Sequence, residues 1–139
     1  MTTTDKNIVV GAELPSISKP PITRTTLALF AGASGDHNPI HIDIDVARKA
    51  GMPDVFAQGM LGMAYLAQLL TNWVPQSTIR SYGVRFQSIT NLGDEITCIG
   101  KVTDVFEVAG EPRARLELEA KNQHGDVKLA GSAVIAINE

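Results

Sequence analysis

Residues 55–78 read VFAQGMLGMAYLAQLLTNWVPQST, a run without one Asp, Glu, Lys or Arg. Such a run is either a membrane span or a helix enclosed by protein. Gln58, Gln68, Asn72 and Pro75 leave it short of the roughly 20 consecutive apolar residues that a span needs. The second reading therefore holds: a helix over about Gly59–Asn72, apolar on nearly every face because other elements surround it. Pro75 marks its end. A chain with one such helix needs a partner element able to wrap around it.

The carboxy-terminal half supplies that element. After Pro75 the hydrophobic period changes to two, with Tyr82, Val84 and Phe86 alternating with Gly83, Arg85 and Gln87. A turn at Asn91–Asp94 leads into a strand over about Glu95–Val108, and Gly110–Pro112 makes the next turn. The clearest alternation follows, with Ala114, Leu116, Leu118 and Ala120 on one face and Arg113, Arg115, Glu117, Glu119 and Lys121 on the other. Asn122–Asp126 turns the chain into a last strand, Val127–Ile137. Upstream, Thr23 is placed to cap a short helix to about Ala31, with Leu27 and Phe30 facing inward. A second helix near Asp45–Ala50 ends at Gly51, and Pro15, Pro20 and Pro21 keep the first twenty residues extended or irregular. Helices followed by a four-strand meander define an α+β fold in which a curled antiparallel sheet wraps one central buried helix. This is the hotdog arrangement. Open sheet edges in so small a sheet favour pairing of two copies, so a homodimer is expected.

Composition bounds what the fold can do. The chain has 139 residues, 44% hydrophobic and 19% charged, which suits one domain over residues 1–139 with a substantial core. A net charge of −3, with scattered basic residues, offers no surface for tracking phosphates, so nucleic acid is not an expected partner. The single cysteine, Cys98, excludes an internal disulfide and reads as a small hydrophobe in a strand. The start, MTTTDKNIVVG, has neither a basic nor an apolar signal region, and a cytoplasmic location away from membranes is expected.

The polar stretch SGDHNPIH, residues 34–41, is where chemistry concentrates. Pro39 forbids a continuous helix here, so a turn must bring Asp36 and His41 together. The same proline spoils the His37–His41 spacing as a zinc site. Counting a calcium loop from Asp36 puts His41 where glycine is required. No metal site is expected. Ser34 lacks the elbow of a serine nucleophile and is expected to bond the local backbone. Two readings stay open on the residues alone. One is an ordinary turn in which Asp and Asn side chains bond nearby backbone. The other is a general acid–base pair acting on water.

FAGASGDHNPIHIDIDVARKAG (residues 30–51) followed by FAQGMLGMAYLA (residues 56–67) resembles the signature of MaoC-like dehydratases and (R)-specific enoyl-CoA hydratases. The likeness extends through Ile22–Arg24, Val84–Phe86 and Leu92–Asp94, nearly the whole chain. It implies a single hotdog domain that adds water reversibly and syn to a trans-2-enoyl thioester of coenzyme A or an acyl carrier, without metal or redox cofactor. By the resemblance, Asp36 and His41 form the hydration dyad and Asn38 aligns the reacting groups. The Gly59 N–H, at a helix start, would then bind the thioester oxygen. Gln58, where relatives commonly carry histidine, and Arg85 are possible tunnel or carrier contacts, and Arg80 and Lys101 could likewise meet carrier phosphates. Many relatives also carry a proline where this chain has Ile89-Thr90. His37 and His124 are weaker candidates. Two alternatives accompany this reading: a subunit of a heterodimeric acyl dehydratase, and a non-catalytic acyl-thioester-binding hotdog subunit. A hotdog thioesterase tends to place an acidic residue on the central helix, and Gly59–Asn72 contains none.

Overall fold

The computed structural model describes residues 7–137; residues 1–6, where the MTTTDKNIVVG segment begins, and 138–139 lie outside the described residues. In chain order the elements are β1 (Ile17–Ser18), α1 (Arg24–Ser34), α2 (Ile44–Lys49), α3 (Gly59–Thr71), β2 (Ile79–Phe86), β3 (Thr97–Val108), β4 (Glu111–Lys121) and β5 (Val127–Ala136). Single 3₁₀ turns occupy Pro39–His41 and Gln76–Thr78.

The caps fall where local chemistry puts them. Thr23 Oγ1 accepts from Thr26 N–H at the start of α1, which closes at Gly35 with φ of 79°. A residue with a Cβ adopts that left-handed conformation only at a cost, so glycine is the natural stop. Asp43 caps α2 through Asp45 N–H. Helix α3 ends with Trp73 and Val74 N–H both donating to the Leu70 carbonyl just before Pro75.

The five strands form one antiparallel sheet in the order β1-β3-β4-β5-β2. This corrects the simple meander expected from the sequence. Strands β3, β4 and β5 do follow one another as hairpins, but β2 lies at the far edge and pairs with β5, Tyr82 opposite Ala133 and Phe86 opposite Leu129. Alternation specifies which face of a strand is buried, not which strand lies beside it. Here β2 closes the sheet over α3, and its Tyr82 hydroxyl donates to the Met63 carbonyl at 2.7 Å. The β3–β4 turn is also tighter than expected. It consists of Ala109 and Gly110, both at positive φ (50° and 81°), so β4 starts at Glu111 and includes Pro112. Two consecutive left-handed residues match the twist of a two-residue hairpin.

The core lies between α3 and the concave sheet face. Leu66, Leu69 and Leu70 are buried against Cys98, Val102, Leu116, Leu118, Leu129 and Ile135. The inward set expected for β4, Ala114, Leu116, Leu118 and Ala120, is buried. Gly62 permits close approach of helix and sheet, because a Cβ there would lie 2.7 Å from Leu129 Cδ1. A second cluster, Ile22, Leu27, Ala47, Val55, Ala57 and Leu61, packs α1 and α2 against the start of α3. It is this smaller cluster that carries the polar loop. No helix among the described residues is long and apolar enough to cross a membrane.

Candidate active site

Three short side-chain-to-backbone bonds shape the loop after α1. Ser34 Oγ accepts from Asp36 N–H at 3.1 Å, Asp36 Oδ1 from Asn38 N–H at 3.2 Å, and Asn38 Oδ1 from Ile40 N–H at 3.2 Å. Each is a local turn of the kind Ser, Asp and Asn favour. The last caps the single 3₁₀ turn that carries His41. The turn sends the imidazole inward, where only 11% of the side chain stays exposed, against 38% for Asp36.

Inside, His41 Nδ1 lies 2.7 Å from the Phe56 carbonyl oxygen. A carbonyl can only accept, so Nδ1 carries the hydrogen and Nε2 keeps its lone pair in the neutral ring. The Phe56 ring packs edge-on to the imidazole, centroids 5.1 Å apart, and fixes its plane. Phe56 is itself held in place from α1, since Arg24 pairs with Asp54 and Asp54 Oδ1 accepts from Val55 N–H at 2.7 Å. The bare Nε2 faces Asp36 Oδ2 at 3.9 Å. That is too far for a direct hydrogen bond, while one water at roughly 2.8 Å from each atom would bridge them.

His41 opens onto a cleft of about 340 Å³, whose lining includes Phe56, Gly59, Phe86, Thr90 and Lys128. Gly59 is the first residue of α3, and no side chain caps that end. Its N–H therefore has no intrahelical acceptor and stands at the positive end of the helix dipole. The Phe86 ring lies over it, with Cε1 3.0 Å from where a Gly59 Cβ would sit. The cleft thus brings together a histidine nitrogen with a free lone pair and the amino end of the central helix.

The other residues singled out from the sequence go elsewhere. Asn38 shapes the turn through its side-chain oxygen and is absent from the cleft lining. Gln58 is 1% exposed and turned inward, its Nε2 donating to the Leu27 carbonyl at 3.0 Å. It ties α1 to the start of α3 and does not line the cleft; its Oε1 has no partner among the described residues. Arg85 lies on the strand face opposite Val84 and Phe86, outside the cleft. Arg80 is engaged with Glu111 at 2.9 and 2.8 Å, and Lys101 lies 3.9 Å from Glu117. Both are thereby held at ion pairs away from His41. His37 and His124 are exposed. Cys98 is fully buried, and desolvation pushes its thiol up to about 11.

One cleft residue escapes sequence reasoning. Lys128 lies in β5 next to inward-facing Leu129, so alternation assigns it to solvent, yet it is 5% exposed. Its ammonium sits 3.5 Å from Asp94 Oδ2 and donates to the Ile89 carbonyl at 2.8 Å. Asp94 belongs to the Leu92–Asp94 stretch already singled out, the only sequence signal pointing toward this pair.

Comparison with known proteins places this arrangement in a family: the MaoC like domain matches residues 7–123. The chain belongs to the MaoC-like dehydratase family. This MaoC-like chain is similar to an (R)-specific enoyl-CoA hydratase of Aeromonas caviae, 29% identical over 113 residues, which cover 80% of this chain and 83% of that protein. It is 25% identical to a mitochondrial 3-hydroxyacyl-[acyl-carrier-protein] dehydratase of Arabidopsis thaliana over 108 residues, 78% of this chain. It spans 65% of that plant protein. It also spans 6% of the fatty acid synthase subunit beta of Saccharomyces cerevisiae, to which it is 29% identical over 120 residues. Among solved structures, the A. caviae (R)-hydratase involved in PHA biosynthesis superposes with a TM-score of 0.79 at 27% identity, covering 94% of this chain and 97% of that one. The fold of the MaoC-like chain is the hotdog fold of these neighbours.

Proposed function

We propose that the chain is an (R)-specific enoyl-thioester hydratase, working in either direction between a trans-2-enoyl thioester and the (R)-3-hydroxyacyl thioester. The observation that carries this is the bare His41 Nε2 facing the Asp36 carboxylate at 3.9 Å, on a cleft shared with the amino end of α3. A water held between the two groups has an acceptor on each side. As its oxygen bonds to the β-carbon, the dyad takes up one of its protons and a proton passes from the dyad to the α-carbon on the same face. The dyad ends the cycle with the protons it began with. Negative charge meanwhile gathers on the thioester oxygen, and the Gly59 N–H at the helix end stabilises it where water cannot crowd in. Asn38 acts on this chemistry indirectly, by setting the turn that presents His41.

The acyl carrier, coenzyme A or an acyl carrier protein, reaches the cleft by the side that Phe86 borders. The free edge of β2 lies beside it, and pairing of two copies there gives a homodimer with its site near the interface. The test is the purified chain alone, assayed with a chain-length series of trans-2-enoyl-CoA esters. Hydration of one or more to the (R)-alcohol is expected. Turnover only after addition of a second hotdog chain would move the assignment to a heterodimeric dehydratase, and binding without turnover to a non-catalytic subunit.

A further inference from the structure

Lys128 is the part of the cleft that the hydration chemistry leaves unused. Its inward direction comes from a bulge: Ala120 pairs with Leu129 and Lys121 with Val127, which leaves Lys128 as the extra residue. Bulges re-aim side chains and concentrate beside active sites. From this position the residue grips the segment after β2 twice. Its carbonyl accepts from Gln87 N–H at 2.9 Å, and its ammonium donates to the Ile89 carbonyl at 2.8 Å. Asp94, which compensates the charge, is fixed by Asn91 N–H at 2.8 Å and Asn122 Nδ2 at 3.2 Å. The gripped segment reaches the catalytic loop, because the Thr90 carbonyl accepts from Ala57 N–H at 2.9 Å and the neighbouring Phe56 carbonyl holds His41.

A buried ammonium is disfavoured unless paired and hydrogen-bonded, and an apolar side chain of the same length would fill the space without that demand. We propose that Lys128 is a positioning residue that fixes the 87–90 wall of the cleft and so sets how the acyl thioester seats beside His41. This rests on the reading of the cleft as a thioester site. It assigns Lys128 to substrate seating and not to proton transfer, since its ammonium is committed to Ile89 and Asp94.

Two variants separate seating from stability. Lys128→Met removes the donor and leaves Asp94 buried without its cation; Lys128→Met/Asp94→Asn removes the stranded charge as well. The single variant should melt earlier and the double variant recover most of that loss. Both should raise KM for the best trans-2-enoyl-CoA by about tenfold or more with kcat within about threefold, the split expected when ground-state seating is lost. The Kd of hexanoyl-CoA, a saturated thioester that cannot react, should weaken in parallel. If the double variant keeps KM and Kd within about twofold of the wild type, Lys128 is merely structural and the proposal falls. If the wild type binds hexanoyl-CoA but hydrates no enoyl ester, the hydratase reading fails, and the Kd ratio alone decides on Lys128. If the wild type does not bind the saturated thioester at all, both fall together.

Discussion

Replacing Asp36 with asparagine separates the charge of that carboxylate from its place in the loop. The loop contact survives, because Asn also offers an oxygen to Asn38 N–H, which Asp36 Oδ1 accepts at 3.2 Å. The ion pair lost with His41 is long and half-open, 3.9 Å with the carboxylate 38% exposed, and pairs of that kind contribute below about 1 kcal/mol. Stability should therefore be nearly unchanged. Catalysis should not, since a positioned acid–base group is worth roughly 10²–10⁴-fold, or about 3–5 kcal/mol of barrier. His41→Ala provides the contrast. It removes the donor to the part-buried Phe56 carbonyl, and an orphaned carbonyl there costs about 1–3 kcal/mol, so this variant should lose both turnover and stability. The assay follows loss of the conjugated enoyl absorbance under saturating substrate, beside a denaturant melt of each variant. Asp36→Asn with kcat within about threefold of wild type and an unaltered melt would refute the dyad.

Two further expectations follow from the same structure. Gly59 is the first residue of α3, where proline is well tolerated, and Gln58 before it already has the extended ψ of 136° that a following proline demands. Gly59→Pro should thus fold yet lose about 10²-fold or more in kcat with its N–H, whereas Gly59→Ala keeps the donor and need only nudge the exposed Phe86 ring. Equal turnover of the two variants, with matching circular dichroism, would dismiss the Gly59 amide as oxyanion donor. Burial raises the Cys98 thiol from 9.0 to about 11. The unfolded chain therefore ionises first, and this contribution is intact below pH 9.0 and lost as pH rises towards 11. On the order of 2–3 kcal/mol is at stake, and Cys98→Ala should flatten the decline in denaturant midpoint across that window. The same slope in both proteins would contradict the burial argument.

What the sequence determined by itself was the wrapping problem and its solution. A helix with no charged residue from Val55 to Thr78 has to be enclosed, and the strict alternation of residues 113–121 is what encloses it. The caps at Thr23 and Gly35 and the break at Pro39 were legible for the same reason: they are settled between residues a few positions apart. Strand order was not, because alternation names a face and leaves the neighbour open; only closure of the sheet over α3 puts β2 beside β5. The candidate site divides along the same line. Asp36 and His41 could be nominated from their spacing across a proline, but the ring's tautomer and direction depend on the Phe56 carbonyl fifteen residues away. Gln58 reads as a cleft residue until the fold offers it the Leu27 carbonyl thirty-one residues upstream. Lys128 shows the limit most plainly. By alternation it belongs in solvent, and one unpaired residue in the β4–β5 ladder turns it inward instead, towards Ile89 and Asp94. Local preferences act over a few residues, whereas register, bulges and the acceptors available to a buried donor exist only once distant strands have met.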